Sequence, residues 1–252
     1  MQSYSQLRLT GTAIWRYIMI NEEKIKIWYN RRHSSLGQKS WRPFRAYHNF
    51  LDYLNIKSGG KLLDIGSGTG FLLKLANRNG LRTYGVDISI EGVKIAKNTS
   101  PDSIIIVNSG ENLAFLDNTF DYITCIGVLE HFIDIENGIA EILRVAKDNA
   151  IFCIVVPNIN YFFWKIKGKK GTIQQDINEH LFSLEQWENL FAKNGLKISE
   201  IHQDKWFMIK DKIFSSLNPI KITKKIIYKL IWLFMPLKYT YQFIFILRKN
   251  DN

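Results

Sequence analysis

The stretch Leu62-Leu63-Asp64-Ile65-Gly66-Ser67-Gly68-Thr69-Gly70 decides how the rest of the chain reads. It follows the short apolar run Lys61–Ile65 and leads into Thr69–Asn79, where Phe71, Leu72, Leu75 and Ala76 recur at helical spacing before Gly80. Strand, glycine turn and helix are predicted in that order. Glycines in such a turn let the backbone bend sharply and let a ligand approach the main chain. The helix behind the turn presents unpaired N–H groups. A dinucleotide turn has the spacing Gly-x-Gly-x-x-Gly. Here the spacing is Gly-x-Gly-x-Gly, and Phe71 stands in the place of the third fingerprint glycine. Asp64 at the strand end would repel a pyrophosphate and suits a cationic group such as an α-amino group. The motif therefore favours a nucleoside carrying an amino acid over a dinucleotide.

Working outward, strands and helices alternate. Strands are predicted at Arg82–Ile88, Ser103–Val107, Phe120–Ile126 and Ala150–Val156, the last closed by Pro157-Asn158. Helices are predicted at Ile90–Lys97 and Ile133–Lys147. Near-continuous apolar strands with helical crossovers imply a parallel sheet covered on both faces, an α/β Rossmann-like three-layer sandwich. A helix at Leu184–Asn194 and strands at Leu196–Ile201 and Tyr241–Leu247 complete the pattern. Residues 1–56 read as a helical cover with helices near 12–30 and 44–56, and 57–252 as the main domain. The insertion 204–240 is long for a sheet connection, and Lys224–Met235 within it reads as a helix.

Lys and Arg outnumber Asp and Glu, giving a net charge of +11 over 252 residues. The excess sits at the flanks: residues 1–55 carry nine basic and three acidic residues, and 197–252 carry eleven and four. An anionic partner or a solvated Lys-rich surface accounts for such flanks. Cys125 and Cys153 lie in apolar strand runs and read as buried free thiols. The start Met1-Gln2-Ser3-Tyr4-Ser5 lacks a signal-peptide pattern. Ile226–Met235 falls well below the roughly 20 residues of a membrane span. A cytoplasmic protein, either soluble or peripheral to a membrane, is expected.

The quoted turn resembles motif I of class I S-adenosylmethionine-dependent methyltransferases, in the small-molecule type 11/12-like branch. Gly85-Val86-Asp87-Ile88-Ser89, Asn108-Ser109-Gly110-Glu111-Asn112-Leu113, Phe120-Asp121-Tyr122-Ile123, Leu129-Glu130-His131, Glu141-Ile142-Leu143-Arg144-Val145 and Pro157-Asn158 extend the resemblance in the family's order. The resemblance implies a seven-stranded, mostly parallel sheet whose last strand is antiparallel. It implies S-adenosyl-L-methionine as methyl donor, held by Asp64, Gly66, Ser67, Gly68, Gly70, Asp87, Ile88, Ser109, Gly110, Glu111 and Cys125. Asp87 is placed to accept the ribose hydroxyls. Ser109 departs from the acidic residue common at the adenine contact. The fourth strand is followed by no Asn/Asp-Pro-Pro-Tyr/Phe stretch and no Pro-Cys pair, which argues against methylation of DNA bases. Gly127 stands where some quinone-pathway relatives hold a metal-binding acid, so no metal is expected.

Methyl transfer from a sulfonium mainly requires alignment, plus a base if the acceptor keeps its proton. His131 and His180 are the candidate bases; alternatively, His131 caps the next helix and His180 fixes a loop. The acceptor reads as a small molecule methylated on oxygen: a sugar, a lipid-linked compound or a quinone precursor. An RNA or protein methyltransferase and a non-catalytic scaffold stay open, although no specific nucleic acid is expected. The segment 221–238 reads either as a lid or as a surface helix meeting anionic lipid, with Ile226, Ile227, Leu230, Ile231 and Phe234 inward. Trp15, Trp28, Trp41 and Trp164 read as packing residues.

Overall fold

A computed structural model describes residues 11–39, 42–168, 171–172, 174, 176–206 and 219–250. Trp41, the extreme N-terminus and 207–218 of the insertion lie outside the described residues. Helices α1 (Gly11–Leu36) and α2 (Ala46–Tyr53) precede β1 (Lys61–Ile65), α3 (Phe71–Arg78), β2 (Arg82–Asp87), α4 (Ile90–Thr99), β3 (Ile104–Val107) and β4 (Phe120–Ile126). A 3₁₀ turn (Leu129–His131) leads to α5 (Ile135–Val145) and β5 (Ala146–Pro157). Then come α6 (Phe162–Lys167), α7 (Leu184–Lys193), β6 (Leu196–Gln203), α8 (Pro219–Phe234) and β7 (Gln242–Lys249). The strand order is β3-β2-β1-β4-β5-β7-β6, with β7 antiparallel to both neighbours. This is the expected Rossmann-like sheet.

Successive strand residues point to opposite faces, and the sequence supplies apolar side chains to both. Leu63, Ile65, Ile123, Phe152 and Ile154 join α5 and α7 in one cluster. Leu62, Tyr122, Cys153 and Val155 join α2, α3 and α4 in the other. Helix α2 belongs to that second cluster through Phe50, Leu51 and Leu54. Because β1 pairs with β2 on one side and β4 on the other, the chain reverses direction across the sheet there. The loops after all three strands therefore meet at one carboxyl edge, where open α/β sheets leave a crevice.

Two expectations are corrected. Helix α5 stops at Val145 instead of Lys147, because Ala146 already pairs with Phe120 in the sheet. Helix α1 runs to Leu36 instead of residue 30, its last turn closing through the Gly37 N–H to His33 O at 2.9 Å. In α8 one stripe is turned outward: Ile226, Ile227, Leu230, Ile231 and Phe234 are all exposed. Trp232 sets that phase. It is buried, with its ring 5.8 Å from Tyr161, and a large side chain anchored there turns the opposite stripe outward.

Trp187 joins α7 to the sheet. It is fully buried, packs against Phe182 and Phe191, and donates its indole N–H to Pro157 O at 3.0 Å. Trp187→Ala is expected to lower the unfolding free energy by about 3–5 kcal/mol, measured by urea denaturation.

Candidate active site

The turn after β1 is built by close approach. Gly66 has φ +71°, and a Cβ there would lie 2.2 Å from a Val128 methyl carbon. Glycine thus lets the β4 loop sit directly on the β1 turn. Asp87 fixes the next residues: its two carboxylate oxygens accept the N–H groups of Gly68 and Ser89, each at 2.8 Å. Ser89 then caps α4 by accepting the Gly92 N–H at 3.0 Å. Asp64 is buried and accepts the Thr124 hydroxyl at 2.7 Å. Ser67 Oγ is buried without a hydrogen-bond partner.

These groups line one end of a cavity of about 1120 Å³. Asp64, Gly66, Ser67, Gly68, Asp87, Ile88, Ser109, Gly110 and Glu111 all reach it. Two sequence candidates do not line it. Cys125 is wholly buried in the core, and the cavity wall begins at the next residue, Ile126. Gly70, with φ +75°, instead lets α3 meet α4, since a Cβ there would lie 2.9 Å from Ala96 Cα. Glu111 carries a second duty: its carboxylate accepts the Asp134 N–H at 2.7 Å, tying this loop to the start of α5. Glu141 and Arg144 stand behind that loop, holding Leu113 through its N–H and carbonyl at 2.8 Å each.

The other end of the cavity is lined by Tyr29, Arg42, Glu130, His131, Trp164, Trp206 and Tyr241. His131 donates its Nδ1 hydrogen to Asn178 O at 2.6 Å, because a carbonyl can only accept. Its Nε2 therefore carries the lone pair of the neutral ring, and that buried atom makes no hydrogen bond of ordinary geometry. Burial drives the His131 ring down to about 4, against the opposing contacts with Asn178 and Gln174. Glu130 Oε2 is likewise buried without a partner, and burial pushes the carboxyl up to about 8. His180 does not line the cavity. Its Nε2 donates to Phe132 O at 2.9 Å, and its backbone N–H donates to Glu130 O at 2.7 Å.

Sequence reading left three contributions unnamed. The first is the face that the expected N-terminal cover turns to the cavity, where Glu22, Ile25, Tyr29, Arg32, His33 and Leu36 of α1 form one stripe. Asn30 docks this helix by accepting the Ser89 hydroxyl at 2.7 Å. The spacing 22-25-29-32-36 was the available signal, but its mixed polarity hid it. The second is Arg42, buried in an ion pair with Asp204 and donating to Gln242 at 2.7 Å. It joins the segment before α2 to those flanking β6 and β7. Trp164, read as a packing residue, is a cavity wall.

Residues 37–201 match a family described as a methyltransferase domain. The chain belongs to this methyltransferase family. A demethylmenaquinone methyltransferase of Paenarthrobacter aurescens is 32% identical over 114 residues, 45% of this chain and 43% of that protein. A ubiquinone biosynthesis O-methyltransferase of Mesorhizobium japonicum is 28% identical over 153 residues, 50% of this chain and 61% of that protein. The fold is shared with phosphoethanolamine N-methyltransferase 2 of Haemonchus contortus, solved with phosphomonomethylethanolamine and S-adenosylhomocysteine. That likeness has a TM-score of 0.58 at 19% identity and covers 82% of this chain and 53% of that one. The chain thus spans less than two thirds of each of these proteins.

The family's cofactor is S-adenosylmethionine, and the methyltransferase cradle fits it. Asp64 is a buried carboxylate that accepts from the neutral Thr124 hydroxyl, and Ser67 is a buried hydroxyl lacking a partner. Asp87 keeps lone pairs beyond its two N–H bonds. Burial raises the Asp64 carboxyl to about 7, with the Thr124 hydrogen bond opposing. Its ionised fraction then climbs from about a tenth at pH 6 to about nine tenths at pH 8. If ionised Asp64 holds the cofactor's ammonium group, affinity strengthens roughly tenfold over that interval. Calorimetric titration with S-adenosylhomocysteine is expected to show this rise, and Asp64→Asn to flatten it.

Proposed function

We propose that this methyltransferase transfers a methyl group from S-adenosylmethionine to a hydroxyl oxygen of a small, largely apolar acceptor. The observation that carries the reading is the pairing of Glu130 and His131 at the aromatic end of the cavity that also holds the cofactor cradle. At neutral pH the site presents a carboxylic O–H at Glu130 and, beside the Gln174 side chain, the lone pair of His131 Nε2. A hydroxyl can give its proton to His131 while a neighbouring acceptor oxygen receives the Glu130 hydrogen. Such a pair suits compounds with adjacent oxygens, which include quinone precursors, lipid-linked phenols and sugars. The name of the ubiquinone biosynthesis O-methyltransferase relative supports that choice.

When bound, S-adenosylmethionine supplies a methyl group already activated on sulfonium. The protein's share is alignment and proton removal. Tyr29, Trp164, Trp206 and Tyr241 supply ring walls that exclude water around the acceptor. Asn178 O fixes the His131 tautomer. His180 is a positioning residue, holding the Phe132 and Glu130 backbone beside the reacting end. An RNA or protein acceptor is the second reading, favoured by the +11 net charge. Strong, salt-dependent retention on polyanions would move the assignment there.

The test is methyl transfer from labelled donor to a panel of hydroxylated quinone precursors, prenylated phenols and sugars. His131→Ala is expected to lower kcat by about 10²- to 10⁴-fold with KM little changed. Turnover at the wild-type rate in that variant would sink the base assignment. The wild-type rate is expected to fall as pH rises through about 8, where Glu130 loses its proton. Glu130→Gln, which keeps a donor, is expected to stay active and to lose that alkaline limb.

A further inference from the structure

Helices α6 and α8 stand side by side, with Phe163 and Tyr228 rings 5.5 Å apart and Tyr161 beside Trp232 at 5.8 Å. Their outer surface is apolar. Phe162 and Ile166 of α6 are exposed, as are Ile226, Ile227, Leu230, Leu233 and Phe234 of α8, with Ile166 at 64% and Phe234 at 77%. Single exposed aliphatics are ordinary, but a contiguous group on two packed helices marks an interaction face. The charge around it has one sign. Residues 159–175 contain four lysines and no acid, and 219–240 contain five lysines and no acid. Of these, Lys224 and Lys238 are exposed. Among the described residues no helix is long and apolar enough to cross a membrane, and α8, at 16 residues, is about 24 Å long.

We infer that the α6–α8 face docks on the surface of an anionic lipid membrane and delivers a lipid-borne acceptor to the cavity. A partner protein would match the apolar group with a patch of its own. Two segments that carry lysines and no acid are what negatively charged head groups select. The same short helix α6 serves both sides: Phe162 and Ile166 face outward, while Trp164 lines the cavity. An acceptor whose chain rests in the bilayer would thus meet the cavity wall one helix away from the lipid. The delivery step rests on the apolar-acceptor reading, whereas the docking step stands without it.

Full-length protein is sedimented with phosphatidylcholine vesicles, with and without phosphatidylglycerol, across a salt series. The expected result is pelleting with the anionic vesicles that weakens as salt rises. Leu230→Glu with Phe234→Glu is expected to lower the bound fraction about tenfold or more, and Lys224→Glu with Lys238→Glu roughly tenfold. These positions are exposed, and retained S-adenosylhomocysteine binding shows that each variant is folded. Wild type remaining in the supernatant, or variants pelleting like wild type, would overturn the inference. So would equal binding to neutral vesicles, which removes the anionic selection. A dimer in light scattering that the Leu230/Phe234 variant abolishes would assign the face to a second copy instead. Failure of docking with cofactor binding and turnover intact leaves the enzymatic reading in place.

Discussion

The architecture of the site depends on the Asp87 carboxylate. Its two oxygens hold the N–H of Gly68, at the end of β1's turn, and of Ser89, at the start of α4. One side chain thereby fixes the distance between the two loops that flank a nucleoside. Burial raises the energy of its charged form, and the two N–H donors and nearby His33 offset that. Hydrogen bonds between ionised acceptors and backbone donors are among the stronger ones available to a protein. A second constraint acts from below, where Gly66 admits the Val128 side chain and so lets the β4 loop close on the cradle. The cofactor end and the reacting end are consequently parts of one rigid edge.

The reacting end follows a different logic. Glu130 and His131 are adjacent in a single 3₁₀ turn, and burial moves both away from their charged forms. A carboxylic acid and a neutral imidazole side by side form a donor and an acceptor without net charge. Such a pair can sit in an aromatic cavity where an ion pair would cost several kcal/mol to desolvate. The supporting groups are the backbone carbonyls of Asn178 and Phe132, far apart in sequence, which accept from His131 and His180 respectively.

Much of this was legible in the sequence. The alternation of apolar strands and amphipathic helices is a local signal, so the sheet could be read from residue order. The acids Asp64 and Asp87 could be read because each stands at the carboxyl end of an apolar strand run. What escaped depends on tertiary placement. The cavity-facing stripe of α1 mixes Glu22, Tyr29 and His33 with Ile25 and Leu36, so its periodicity resembles neither a core face nor a solvated one. Gly70 reads like a ligand glycine, yet its freedom serves the contact with Ala96. Which histidine faces the cavity was not legible in the sequence, since only the fold shows that His180 spends its Nε2 on Phe132. In α8, the apolar stripe was visible in the periodicity, while its exposure follows from where Trp232 is buried against Tyr161.

The central claim is that Asp87 organises a cofactor cradle for S-adenosylmethionine. Calorimetric titration of S-adenosylmethionine into the wild type and Asp87→Ala tests it most directly. The account requires saturable micromolar binding by the wild type and its loss in a variant that remains folded by circular dichroism. A folded wild type that binds nothing, or a variant that binds as tightly as the wild type, would contradict it.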